Sequence, residues 1–275
     1  MNVDTLQAGS RKGIPMLFSD RSKHWQDCAL RYIWGCCPFY RLYPYQQPVH
    51  IQAADRHGAI DGRHGFFYNR IPKCANSTVV EALATFSGKV RSDDNTVALK
   101  RAFGKPHQLS HRQVVRLRDH WLKFTFVRNP YARVLSAYLD KIIRLRYDLR
   151  PRYRALRAAT RATDAPPSFD RFLDYLAAGG LYANVHWAPQ TALLLIPLVS
   201  FDFVGKVENL DQDLLQVLQR LFPDQAHRTA VKFGRAGPPP TGAQDKVFSW
   251  CTRQQRDRIA ALYENDITAL GYYFL

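Results

Sequence analysis

The chain has 275 residues, with 46% hydrophobic and 13% aromatic content, enough to bury a full core as one large domain. Lys and Arg number 39 against 23 Asp and Glu, a net charge of +16, which points to an anionic partner: nucleic acid, acidic lipid, a nucleotide cofactor or an acidic glycan. No run of 18 apolar residues marks a membrane span, and the five cysteines, odd in number with Cys36 beside Cys37, make neither a disulfide framework nor a metal-ligand set.

Residues 1–65 are polar, Pro-rich and weakly periodic, and are expected to form an irregular arm packed on a core domain of residues 66–275. Met1–Asp20 lacks the apolar region of a signal peptide. Phe66–Ile71 is short, aromatic and mostly apolar, so a buried strand is expected, stopped by Pro72, which has no N–H for the ladder. Small and polar residues follow, and Ser77 or Thr78 is placed to cap a helix from Val79. A strand, a tight turn carrying Lys73 and a helix start together make an anion site, because free backbone N–H groups and the positive helix end face one point. The alternative is an ordinary turn with a surface lysine. No glycine lies between Pro72 and Thr78, so the glycine-rich triphosphate loop is absent, which argues against a nucleotide kinase.

Residues 87–110 read as loop with one short helix, and a helix capped by Ser110 follows. Lys123–Val127 reads as a second strand, ended by Arg128. Asn129 is placed to cap the next helix and Pro130 to occupy its first position. Arg128 thus stands at the carboxyl end of a strand, where open α/β sheets bind ligands, and Ser136 lies two helical turns on. Both are placed to reach one anion; the alternative is a salt-bridged arginine and a solvated serine. Between residues 144 and 161 there are seven arginines and one acid, Asp148, a stretch that suits either a solvated face or a contact with an acidic substrate. Ser168 caps a short amphipathic helix ended by Gly179-Gly180, Phe201–Lys206 reads as a third strand, Asp211–Leu221 as a leucine-faced helix, and Arg253–Leu270 as one long helix.

These stretches together resemble the two cofactor motifs of the membrane-type carbohydrate sulfotransferases, which include the chondroitin 4-O- and HNK-1 sulfotransferases. The resemblance rests on Pro72-Lys73 with Ser77-Thr78, then Arg128-Asn129-Pro130 with Arg133, Ser136 and Tyr138. His186-Trp187 with Phe201–Leu210 is similar to that family's third block, and Leu262–Asp266 with Leu270-Gly271-Tyr272 to its C-terminal helix. The resemblance implies a P-loop-like α/β fold, a central parallel sheet flanked by helices. It also implies 3′-phosphoadenosine 5′-phosphosulfate as co-substrate, and no metal. Pro72, Lys73, Cys74, Ala75, Asn76, Ser77 and Thr78 would wrap the 5′-phosphosulfate, and Arg128, Arg133 and Ser136 would take the 3′-phosphate. Two departures stand out. Asn129 replaces the family's usual Asp, and the stretch before the third block, Leu193–Leu198, has no cysteine.

Sulfuryl transfer needs a held donor, a neutralised leaving group and a base for the acceptor proton. Lys73 is the expected catalytic cation and His186 the expected base, with His107, His111 and Glu208 as alternatives. A carbohydrate acceptor follows from the resemblance, and the basic surface suits an acidic one or a peripheral membrane contact. The expected enzyme is cytoplasmic and does not use nucleic acid. A non-catalytic polyanion- or nucleic-acid-binding protein is the competing reading.

Overall fold

Four short strands carry the fold. In the computed structural model, which describes residues 18–90, 95–144, 166–226 and 242–275, they form one sheet in the order β1 (Gly58–Asp61), β2 (Phe66–Asn69), β3 (Leu122–Val127) and β4 (Phe203–Lys206). β2, β3 and β4 run parallel, and β1 joins β2 antiparallel as an edge. Every residue of β2 is buried, as expected of a strand covered on both faces. Alternation sorts its side chains: Phe66 and Tyr68 join one hydrophobic layer, Phe67 the other. Tyr68 stacks on Phe124 of β3, with ring centroids 4.9 Å apart. Gly205 faces Phe126 across the β3–β4 ladder, and a Cβ there would stand 2.5 Å from the Phe126 ring, so glycine is what lets that ring lie flat on β4.

The helices used below are α1 (Phe18–Gly35), α2 (Asn76–Phe86), α3 (His111–Asp119), α4 (Pro130–Tyr138), α5 (Phe169–Ala177), α6 (Leu210–Leu221), α7 (Ala243–Trp250), α8 (Arg253–Leu262) and α9 (Glu264–Ala269). α2 and α6 cover the Phe66 and Tyr68 face through Val79, Val80, Leu83, Leu214 and Leu218. Leu117 of α3 and Phe39, Tyr40 and Ile51 of the N-terminal region cover the Phe67 face. A third cluster joins α4 and α5 to the C-terminal helices around Trp187 and Tyr263. Three of the caps read from sequence are realised: Asn129 Oδ1 accepts from the N–H of Tyr131 at 3.0 Å, Ser110 Oγ from Gln113 and Ser168 Oγ from Arg171.

Three expectations need correction. The arm is not irregular throughout: residues 18–35 are helical and residues 58–61 are an integral strand of the sheet. The helical spacing was hard to see because Trp25, Tyr32 and Ile33 remain exposed, blurring the apolar stripe. Arg31 holds this region together instead, donating to Asp27 Oδ2 and to the carbonyls of Tyr45, Gln47 and Val49 at 2.7–2.9 Å. Second, the last helix is two helices, broken at Tyr263, whose buried hydroxyl donates to the Trp187 carbonyl at 2.5 Å. Third, α2 starts at Asn76, before the anticipated caps, with Ala75 at its N-cap. The arginine-rich stretch beyond Arg144 lies outside the described residues.

Candidate active site

The turn from β2 to α2 is bent by two left-handed residues that are not glycine, Lys73 at φ 71° and Ala75 at φ 51°. Such a conformation costs roughly 1–2 kcal/mol per residue, and strain of this kind concentrates at functional turns. Left-handed residues of this kind shape the backbone concavities that bind anions, and here the Cys74 N–H closes the turn on the Ile71 carbonyl at 3.2 Å. Ala75, at the N-cap of α2, has no side-chain oxygen to bond the first N–H groups, and the first turn holds no acid. The helix start is therefore left open to a ligand's oxygens. Cys74 anchors the turn from below. Its thiol is buried, donates to Gln190 Oε1 at 3.1 Å and is pushed up to about 12 by burial, so it is an inert group.

Lys73 Nζ lies 3.1 Å from Asp140 Oδ2, and the same oxygen takes Lys141 Nζ at 3.0 Å. Burial lowers the Lys73 pKa, with Asp140 opposing. Burial would raise the Asp140 carboxyl, but Lys73 and Lys141 outweigh it and hold the group below its ordinary range. One carboxylate thus serves two lysines. Beside them, Lys100 Nζ donates to Ser77 Oγ at 2.9 Å, and Lys105 Nζ donates to the Gly58 carbonyl at 3.0 Å. Burial, with Arg70 nearby, lowers both lysines to about 8, and burial lowers Arg70 to about 10. Among the described residues, no carboxylate pairs with Lys100, Lys105, Arg70 or Arg128. Lys100, Lys105 and Arg70 thus form a group of mutually repelling cations that Lys100 joins to Ser77, a condition that favours a multiply charged ligand there.

The second turn, from β3 to α4, stands beside the first because β2 and β3 are parallel neighbours. Arg128 reaches back to the Lys73 carbonyl through Nη1 at 3.4 Å. Its Nε is buried and has no hydrogen-bond partner, and burial lowers its pKa despite the nearby Glu208. An orphaned guanidinium N–H is what an absent phosphate oxygen would satisfy. Gln190, fully buried, pins both turns: its Oε1 accepts from the Arg128 N–H at 2.9 Å as well as from Cys74, and its Nε2 donates to the Arg128 carbonyl at 2.8 Å. Gln190 is held in turn by Asp266 of α9, whose carboxylate accepts from the N–H groups of Gln190 and Thr191 at 2.6 and 2.8 Å and from Thr191 Oγ1.

The remaining sequence-selected residues divide by position. Arg133 is buried and donates from Nε to the Pro72 carbonyl, from Nη1 to Ala188 and from Nη2 to Val185, at 2.7–3.1 Å. Its guanidinium is spent on carbonyls, so it shapes the turn from behind. Ser136 lies buried one turn further along α4, and Thr78 is buried in the first turn of α2. Because one guanidinium holds both Pro72 and Val185, the turn carrying His186 is drawn against the Lys73 turn. Asn184 Oδ1 accepts from the His186 backbone N–H at 3.0 Å and lies 2.7 Å from His186 Nδ1. A backbone N–H can only donate, so that atom is the amide oxygen and His186 Nδ1 carries a proton. His107 is elsewhere, its Nδ1 2.7 Å from Asp55 Oδ2 and its ring stacked on Trp34. His111 is exposed at the start of α3. Glu208 is engaged, accepting from the Asn129 N–H at 2.8 Å and the Tyr272 hydroxyl at 3.0 Å.

A family model described as Sulfotransferase family matches residues 56–273. The chain belongs to the sulfotransferase family. The chain is 32% identical to carbohydrate sulfotransferase 14 of Mus musculus over 179 residues, which is 60% of this chain and 46% of that protein. Its identity to carbohydrate sulfotransferase 14 of Danio rerio is 30% over 249 residues, covering 84% and 65%, and to carbohydrate sulfotransferase 8 of Mus musculus 28% over 233 residues, covering 78% and 55%. The chain thus spans about half to two-thirds of the length of these curated relatives. No solved structure matches it. The family match begins at residue 56, so it includes β1, which the sequence reading assigned to the arm.

Sequence reasoning missed Lys100, Lys105, Arg70, Asp140 and Gln190. The signals were faint. Lys100 and Lys105 fall in the stretch read as loop, Arg70 reads as a strand end, and Asp140 is a lone acid entering a basic run. Nothing local marks Gln190, whose importance comes from contacts 62 and 116 residues away along the chain.

Proposed function

We propose that this chain transfers a sulfuryl group from 3′-phosphoadenosine 5′-phosphosulfate to a hydroxyl of a carbohydrate. The observation that carries the reading is the pair of anion-binding turns at the carboxyl ends of β2 and β3, locked together by Gln190 and surrounded by cations in excess. The spacing of two turns on adjacent strands suits a nucleotide with charge at both its 5′ and 3′ positions. The carbohydrate acceptor is inferred from the names of the relatives.

In this reading the donor supplies an activated sulfuryl group. The turn from Pro72 to Thr78 holds the 5′ end by its N–H groups and by the hydroxyls of Ser77 and Thr78. Lys73 neutralises the charge that grows on the leaving phosphate oxygen. Arg128, with Nε unpaired, and Ser136 take the 3′-phosphate. The acceptor oxygen bonds to sulfur as the sulfur–oxygen bond to the 5′-phosphate breaks, and the acceptor proton passes to His186 Nε2. The products are a sulfate monoester and adenosine 3′,5′-bisphosphate. An acidic acceptor is favoured by the unpaired cations. A cytoplasmic setting is supported by the surface thiols Cys28 and Cys36.

Calorimetric titration with adenosine 3′,5′-bisphosphate and with AMP tests the reading. Bisphosphate should bind at least tenfold tighter than AMP, and Arg128→Ala should remove most of that preference. Equal binding of the two nucleotides by the wild type would move the weight to non-catalytic polyanion binding.

A further inference from the structure

We propose that Lys100 is a second lysine of the donor site, binding the 5′-phosphate side of the nucleotide together with Ser77. This inference rests on the donor-site reading above and adds a residue to it that no motif of the chain marks.

The argument begins with placement. Lys100 sits on the short helix Thr96–Arg101, in the connection between α2 and α3, and reaches back 23 residues to bond Ser77 Oγ at 2.9 Å. That bond has a direction. An ammonium can only donate, so Ser77 Oγ is the acceptor and its own hydroxyl hydrogen is left to donate elsewhere. Ser77 lies in the first turn of α2, beside the unbonded N–H groups of the helix start, so its hydrogen and those N–H groups share one target region. Lys100 also keeps two further N–H donors beyond the one given to Ser77.

The second strand of the argument is charge. The charged groups that face Lys100 are Arg70 and Lys141, both cations, while Lys105 bonds its backbone carbonyl at 3.4 Å. Lys141 shares Asp140 with Lys73, so the carboxylate beside Lys141 already serves two lysines. Among the described residues Lys100 has no carboxylate of its own. A structural lysine in a crowded, desolvated place would be expected to carry a counter-ion. One held against two other cations and aimed at a helix start is placed for an anion that arrives with the ligand. When that anion binds, it relieves the repulsion among Lys100, Arg70 and Lys141, so the three favour a ligand with more than one negative charge.

Lysines at two sides of the turn divide the work. Lys73 is carried by the turn itself and is tied to Asp140, which fixes its position. Lys100 comes from a separate element and acts through Ser77. Loss of Lys100 should therefore weaken ground-state binding of the 5′-phosphate and leave the 3′-phosphate contacts intact.

The test is calorimetric titration of wild type, Lys100→Met, Lys100→Arg and Ser77→Ala with two nucleotides, adenosine 3′,5′-bisphosphate and adenosine 3′-monophosphate, with a thermal melt for each protein. Lys100→Met is expected to weaken bisphosphate binding at least tenfold and to leave 3′-monophosphate binding within twofold of wild type. Lys100→Arg should recover most of the loss. If Lys100→Met melts early, the same comparison is read from Ser77→Ala, which should lose affinity for the bisphosphate alone, while Lys100→Arg keeps most of it. Unchanged bisphosphate binding in Lys100→Met, or equal losses for both nucleotides, would overturn the assignment. Failure of the wild type to bind either nucleotide would instead overturn the donor-site reading on which the assignment stands.

Discussion

Lys73, the cation of the proposed reaction, shows how a single side chain is held in place by its surroundings. It sits in a left-handed backbone conformation, half-buried, with its ammonium shared with Lys141 across one carboxylate. An exposed lysine would be free to pair with solvent anions, but this one is held in place before any ligand arrives. Removing the charge while keeping the bulk, Lys73→Met, should lower turnover by ~10²–10³, about 2.7–4 kcal/mol of lost transition-state stabilisation. The rate of bisphosphate release from the sulfated donor measures this, and the melting temperature should change little because Lys73 lies at the mouth of the turn. A variant as active as wild type would remove Lys73 from the chemistry. Arg133 behaves differently, although the sequence motif groups it with Arg128 and Ser136. All three of its nitrogens bond carbonyls, so its loss would unpair Pro72, Val185 and Ala188 together.

At the level of elements, the site depends on a C-terminal helix that touches no ligand. Asp266 of α9 is fully buried and holds the N–H groups of Gln190 and Thr191, and Gln190 holds the backbone of Arg128 and the thiol of Cys74. Asp266→Ala leaves buried donors unsatisfied, at about 1–3 kcal/mol each. A melting point lowered by at least 5 °C, with bisphosphate affinity falling in parallel, is the expected result of a calorimetric scan and titration. This explains what was legible in the sequence. Pro72, Asn129-Pro130, Ser110 and Ser168 act through neighbours two or three residues away, and their strands and helices were read with ends correct to within about three residues. Lys73 and Arg128 were legible because each lies at a strand end in a recognisable motif. Gln190, Asp266, Lys100 and Asp140 act across tens of residues, and no local pattern carries that information. The helix 18–35 escaped because its outer face keeps Trp25, Tyr32 and Ile33 in solvent, and the break at Tyr263 because a buried tertiary hydrogen bond decides it.

Across the whole molecule the excess of cations sets the response to pH. His57, at the turn into β1, lies with Nδ1 2.6 Å from the Ala53 carbonyl, and burial together with Arg70, Lys105 and Lys100 lowers its pKa from 6.5 to about 3. The folded state therefore resists a proton that the unfolded chain accepts. Its contribution is constant above about pH 6.5 and turns increasingly against folding as the pH falls from there toward 3. Urea denaturation should show stability dropping through that window, and His57→Gln should flatten the slope; an unchanged slope in the variant would assign it to other groups. The clamp made by Arg133 has a further reach. One guanidinium fastens the Lys73 turn, the proposed donor site, to the turn that carries His186, so the two turns cannot drift apart in sequence independently. If the proposed reaction holds, a library diversified at Asn184–Ala188 to change the acceptor will also disturb nucleotide binding, and new acceptor preferences are better sought by varying segments that Arg133 does not hold.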